Sequence, residues 1–286
     1  MKPFLCIDLT ENKKNDQFNG VDFLTARPSL ATAQSLERTS EQADKTIESA
    51  KLPTPLRIVQ SVCGFSGAMV ALGILRSTSG TPLEQGYENA PWLFWAGGAL
   101  LAIWGILKLA SIKKSKSVLE TDESAHTMSN LDSMCDAVYT ELGVPPVARE
   151  ADILFFFYKM KDGKIKVTER GMQLTQYFNP IFKVYADSQN LYLVNLDGKY
   201  TFPLSSLVAI HTVKKRIGVA EWNKVEQYNK GIYKQFKLTM NNYGCVFCNR
   251  YHIIEVNYNG ESYGIYIPNY ELPVFEKLTG LKAQGA

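Results

Sequence analysis

The sequence predicts an α+β membrane protein: a two-helix transmembrane hairpin followed by a mostly antiparallel β barrel or sandwich on the cytoplasmic side, closed by a C-terminal helix. Three observations carry this expectation. Two apolar stretches, residues 58–75 and 92–107, contain no Asp, Glu, Lys, Arg or His, and each approaches the ~20 residues a helix needs to cross about 30 Å of hydrocarbon. Short alternating apolar runs, separated by Asp-Gly and Asn-Gly pairs, recur between residues 153 and 267, as in strands joined by tight turns. Residues 271–281 then place Leu272, Phe275 and Leu278 at helical spacing. The expected division is a polar N-terminal segment at 1–55, the hairpin at 56–112, a linker at 113–129 and the β domain at 130–286. A soluble fold that buries the hairpin is the competing reading.

Residues 1–28 read as an irregular leader with room for one short strand at 4–9. No signal peptide is expected, because the apolar run after Pro3 is cut by Asp8, Glu11, Lys13 and Lys14. From 29 to 51 a thin apolar stripe, Leu36, Ala43, Ile47 and Ala50, marks a solvated or transiently paired helix. Pro53 and Pro55 interrupt it. In the apolar spans Gly64 and Ala68, Gly67 and Ala71, and Gly98 and Ala102 stand four residues apart. Small residues let helices approach closely, either within the hairpin or between copies, so a homo-oligomer remains open. Gln60, Ser61 and Ser66 suit a polar helix contact better than an ion path.

Orientation follows from flanking cations. Lys45, Lys51 and Arg57 precede the first span and Lys108, Lys113, Lys114 and Lys116 follow the second, whereas the connecting loop holds Arg76 with Glu84 and Glu88. Both termini are therefore expected in the cytoplasm, with Trp92 and Trp95 at the outer interface and Lys108 snorkelling to the inner one. The chain has five cysteines with no framework spacing, which suits a reducing compartment. It carries no Asn-x-Ser/Thr acceptor.

After a polar linker at 117–128, Asn130 is expected to cap a short helix with Leu131, Met134, Cys135, Val138 and Leu142 on its inner side, ending at Gly143 before Pro145 and Pro146. Strands are expected at 153–160, 164–168, 182–186, 191–196, 200–203, 207–213, 233–240, 252–258 and 261–267, with turns at Asp162-Gly163, Asp197-Gly198 and Asn259-Gly260. The closing helix spans 271–281.

Candidate sites are few. Cys245, Cys248 and His252 have metal-like spacing, but structural zinc takes about four ligands and His126 and His211 stand alone. Small residues of a strand or loop explain the cysteines better, so no metal is expected. Lys214, Lys215 and Arg216, followed by Lys224, Lys230, Lys234 and Lys237, outnumber Glu221 and Glu226. Trp222, Tyr228, Tyr233 and Phe236 are interleaved with them. This segment is the candidate for contact with anionic lipid or a protein partner, against a plain solvated loop. A formal net charge of +3 gives no global argument for nucleic acid. There is no phosphate-cradling glycine loop, no Gly-x-Ser-x-Gly and no His-Glu-x-x-His, so neither catalysis nor a cofactor is expected.

Residues 182–194, Phe-Lys-Val-Tyr-Ala-Asp-Ser-Gln-Asn-Leu-Tyr-Leu-Val, followed by Tyr200-Thr-Phe-Pro-Leu-Ser-Ser-Leu-Val-Ala-Ile, resemble a bacterial pleckstrin-homology-like (PH-like) module. In that family an aromatic-Pro-Leu strand entry leads to a strand and a basic turn, here Val213-Lys214-Lys215-Arg216. The likeness covers residues 152–281 and departs from the pattern at the polar insertion 218–231 and at 241–250. It implies a membrane-tethered, non-catalytic binding or scaffold module, contacting lipid through the hairpin and an unidentified protein through the domain. The alternative is an accessory subunit of a larger membrane complex.

Overall fold

The computed structural model describes residues 1–8, 17–18, 20–77, 91–154, 156–161, 164–168, 181–218, 235–236, 238–240 and 246–284. In chain order the N-terminal elements are β1 (Lys2–Pro3), β2 (Cys6–Asp8), β3 (Gln17–Phe18), β4 (Leu24–Ala26), α1 (Leu30–Ser49), α2 (Thr54–Ser77), α3 (Pro91–Leu119) and α4 (Asp122–Glu141). Then come β5 (Arg149–Asp152), β6 (Phe156–Lys161), β7 (Lys164–Thr168), β8 (Ile181–Ala186), β9 (Asn190–Asn195) and β10 (Gly198–Pro203). The chain continues through β11 (Leu207–Val213), β12 (Ile217–Gly218), β13 (Thr239–Met240) and β14 (Val246–Cys248). It closes with β15 (Tyr251–Tyr258), β16 (Glu261–Pro268), α5 (Leu272–Thr279) and β17 (Ala283–Gln284). The protein is α+β, with two long apolar helices and mostly antiparallel sheets. It divides into two compact units, one made of Met1–Thr32 with Asp136–Ala286, the other of Ala33–Cys135.

In the helical unit, Thr54–Leu75 and Pro91–Leu119 are long and apolar enough to cross a membrane. Only 11% and 6% of their apolar windows are buried within the protein, so their surfaces are not those of ordinary core helices. The segment expected to be a linker is helical. After α3 ends at Leu119, Thr121 Oγ1 accepts from the Ser124 amide at 3.2 Å, an N-cap that starts α4 nine residues earlier than Asn130 would. Asp122 and Glu123 in its first turn complement the helix dipole.

The other unit is built on two five-stranded sheets, β1-β16-β15-β11-β17 and β4-β10-β9-β8-β5. The neighbours are antiparallel except β1 with β16 and β11 with β17. One core joins the sheets. It contains Phe182, Val184, Leu191, Leu193, Tyr200 and Phe202 from one sheet, Leu207, Ile210, Ile254, Val256, Ile265 and Ile267 from the other, and Phe275 of α5.

The segment 1–28, read from sequence as a leader outside the β domain, contributes described residues to this core. Phe4, Leu5 and Phe23 are buried in it. The Phe4 ring stands 5.1 Å from Phe202, 5.2 Å from Tyr200, 6.2 Å from Phe23 and 6.3 Å from Phe182. Backbone ties fix the segment: the Phe4 amide donates to the Gly264 carbonyl at 2.7 Å, and β4 adds to β10 with Tyr200 opposite Leu24. Short hydrophobic pieces flanked by charge carry no periodicity of their own, so their place was hidden until their partners were in view.

Turn chemistry holds at one hairpin and shifts at another. Asn259 and Gly260 take φ of 51° and 79° between β15 and β16, as a type I′ turn requires. At β9–β10 the turn is Leu196-Asp197, one residue before the expected Asp197-Gly198, with Gly198 already paired to Asn195. The Asn195 side chain makes that turn by accepting from the amides of Asp197 and Gly198 at 3.0 and 3.2 Å. Gly198 serves the approach of β4 instead: a Cβ there would lie 2.6 Å from the Ala26 carbonyl oxygen.

The end of α4 is fastened to the second sheet. Gly143, at φ 67°, closes a Schellman motif in which the amides of Gly143 and Val144 donate to the carbonyls of Thr140 and Tyr139. Tyr185 Oη donates to the Gly143 carbonyl at 3.4 Å, and Lys199 Nζ, above the Tyr192 ring, to that of Leu142 at 3.5 Å. The Ser29 amide, just ahead of α1, donates to Glu141 Oε1 at 2.6 Å. Hydrogen bonds from Thr32 and Ser29 hold the Glu141 carboxyl below its usual range.

Candidate functional site

The basic turn predicted from sequence connects β11 to β12, and strand register defines its surroundings. Val213 pairs with Tyr251 at the end of β11, and Ile217 pairs with Cys248 at the start of β12. The intervening residues 214–216 therefore run beside residues 249–250, the link between β14 and β15. Lys214, Lys215, Arg216, Asn249 and Arg250 are all exposed. The Lys215 amide donates to the Val213 carbonyl at 3.0 Å, which tightens the turn.

The two turns sit on a second, smaller core formed by Ile217, Cys248, Tyr251, Leu154, Phe156 and Tyr270. Arg216 lies over the Phe247 ring with Cζ 4.2 Å from its centroid. A guanidinium in this position is held by the ring quadrupole and by stacking. Among the described residues Lys214, Arg216 and Arg250 form no ion pair with a carboxylate. Arg250 is the residue that sequence spacing missed. It lies far along the chain from Lys214, and only the pairing of β11 with β15 brings it alongside. Trp222 and Lys224 lie outside the described residues.

Beneath this surface the polar groups are tied into the fold. The Cys248 Sγ donates to Asn269 Oδ1 at 3.1 Å. Burial first, opposed by the Asn269 backbone amide and reinforced by the charges of Asp152 and Glu271, pushes its thiol up to about 12. Such a thiol is protonated at neutral pH and is a poor nucleophile or metal ligand. His252 is buried, with Nδ1 3.2 Å from Thr212 Oγ1. Desolvation first, then the charge of Arg250, lower its pKa to about 4. Cys245 lies outside the described residues, and among those described no group of three or more Cys, His, Asp or Glu is placed to hold a metal. Tyr270 Oη donates to Asp152 Oδ2 at 2.7 Å, and the Asp152 amide to Glu271 Oε1 at 3.1 Å, which anchors β5 to the turn before α5.

The helix-packing residues separate into two groups. A Cβ at Gly64 would stand 2.6 Å from Trp104 Cδ1, and one at Gly67 2.8 Å from Leu101 Cδ2. Reciprocally, a Cβ at Gly97 would stand 2.8 Å from Val70 Cγ1. Each of these three glycines thus receives a large side chain of the other helix. Gly98, expected in this role, has nothing within 4 Å of a Cβ position. Ala68 and Ala102 are also exposed, and Ala71 is half-buried. One residue along a helix is about 100° of rotation, which is why the facing glycine of α3 is Gly97 and Gly98 points away from α2. No family model, curated protein or solved structure matches the chain.

Proposed function

We propose that this protein is a membrane-anchored, non-catalytic binding or scaffold module: a helical hairpin in the cell membrane carrying a PH-like β domain on the cytoplasmic side. The observation that carries the reading is the split of the β unit. Met1–Thr32 and Asp136–Ala286 fold together, so both flanks of the helical segment lie on one side of any bilayer it crosses, and crossings come in even numbers. Two helices of sufficient length and apolarity meet that condition. Lys114 Nζ donates to the Lys51 carbonyl at 2.6 Å, which puts the basic flanks of α2 and α3 at the same end of the pair. That end is cytoplasmic by the positive-inside rule. The PH-like assignment is supported by the strand sequence β8 to β11 and by α5 closing the core with Phe275. The binding role, against an enzymatic one, is supported by the use of Cys248, His252 and Asp152 as internal ties.

A second reading, an accessory subunit of a membrane complex, is favoured by one observation. Gly98 and Gly105 have open space where a Cβ would stand, and an outward small face admits another helix.

Topology tests the anchored reading. With the full chain in intact cells, a thiol reagent confined to the outside should raise labelling above the wild-type level for Gly86→Cys but not for Glu123→Cys, an exposed position in α4. The protein should stay in the membrane pellet after alkaline washing. Labelling at position 123, or release by the wash, would overturn the proposal. Purification in mild detergent as one subunit of a stable complex would favour the second reading.

A further inference from the structure

We propose that the paired turns 214–216 and 249–250 form a four-cation surface, Lys214, Lys215, Arg216 and Arg250, that docks the β unit on the anionic phosphates of a lipid bilayer. The inference rests on the anchored reading and names the partner of its exposed turn.

The register of β11 with β15 and of β12 with β14 sets the two turns side by side, and all four cations are exposed. Beneath them Ile217, Cys248 and Tyr251 are buried, so the turns project from a packed base. Arg216, held over Phe247 at 4.2 Å, keeps the in-plane donors of its guanidinium available to phosphate oxygens. Among the described residues Lys214, Arg216 and Arg250 have no carboxylate partner. The geometry suits a surface better than a single small anion. The cations ride on two adjacent turns, and a headgroup layer presents many phosphates to such a display. A tether in the same bilayer keeps that layer at high effective concentration.

The experiment uses the full chain in lipid nanodiscs, with hydrogen exchange read at peptides covering residues 213–218 and 247–251. Discs of phosphatidylcholine are compared with discs in which about one-third of the lipid is phosphatidylglycerol. Exchange at both turns should be slower in the anionic discs. The protection should vanish when salt is raised from about 0.1 M to about 1 M, which shortens the screening length from about 10 Å to about 3 Å. Each cation near an anionic surface contributes roughly fivefold to partition, so Lys214→Gln/Arg216→Gln/Arg250→Gln should lower the docked-to-free ratio by roughly a hundredfold and restore the neutral-disc rate. Exchange in β9 and β15 checks that the variant is folded, and the lipid and salt comparisons on the unaltered chain need no variant. Adding glycerol phosphate to neutral discs separates the sources: protection there equal to that in anionic discs would overturn a bilayer surface in favour of a free phosphate. Equal exchange in both kinds of disc overturns the docking surface and leaves the anchor standing. Failure of the chain to co-purify with discs overturns the anchor and the docking surface with it.

Discussion

Replacing Phe4 with Ala tests whether the N-terminal strands belong to the β unit. The side chain is fully buried, with four aromatic rings at centroid distances of 5.1 to 6.3 Å. Phe-to-Ala changes in a core cost about 3–5 kcal/mol from lost transfer energy and the cavity left behind. Edge-to-face pairs add about 0.5–1.5 kcal/mol each beyond area, which places Phe4→Ala toward the upper end. For a unit of this size each kcal/mol moves the midpoint by about 2–4 °C, so Tm should fall by roughly 10 °C or more. Thermal unfolding of the full chain in detergent, followed by near-ultraviolet circular dichroism, would read the aromatic core directly. Val147→Ala, at a position 79% exposed, is the matched control and should leave Tm within about 1 °C. A Phe4→Ala midpoint equal to that of the control would refute the placement of Phe4 in the core.

Two further outcomes follow from the packing and the titration. Gly67→Val should destabilise the α2–α3 pair by about 1–3 kcal/mol through overpacking against Leu101, while Gly98→Val, with open space around it, should change little; unfolding in graded denaturing detergent compares them, and equal effects would contradict the facing assigned here. His252 has a folded pKa of about 4 against about 6.5 for a free imidazole, so the unfolded chain holds the proton more tightly. Its contribution is complete above pH ~6.5 and is lost as pH falls from there through ~4, roughly 3 kcal/mol at full value and nearer 1–2 with local relaxation. Denaturant titrations across that window should show a shallower pH slope for His252→Gln than for the unaltered chain; parallel slopes would remove His252 as the cause.

The long helices were legible because an uninterrupted apolar run has few other uses, and the hairpin at Asn259-Gly260 because that pair is chosen for its backbone conformation. The central strands and α5 were legible by period. Three features were hidden. The capping of α4 by Thr121 depended on a single hydroxyl inside a polar stretch. The role of Phe4 and Phe23 depended on strands more than 150 residues away. The place of Arg250 depended on strand pairing, since Val213 opposite Tyr251 and Ile217 opposite Cys248 set its link beside residues 214–216. Helical facing within the glycine pairs was half legible: spacing identified small faces, but only the opposing side chains distinguish Gly97 from Gly98.

The pairing of β1 with β16 also sets the order in which the protein can be made. Lys2 and Pro3 wait for Tyr263 and Gly264, so this strand stays unpaired until both apolar helices have been synthesised. Under the proposed topology, a chain whose second helix failed to cross would hold Phe4, Leu5 and Phe23 across the bilayer from the sheets they complete, so closure of the β core would require both crossings.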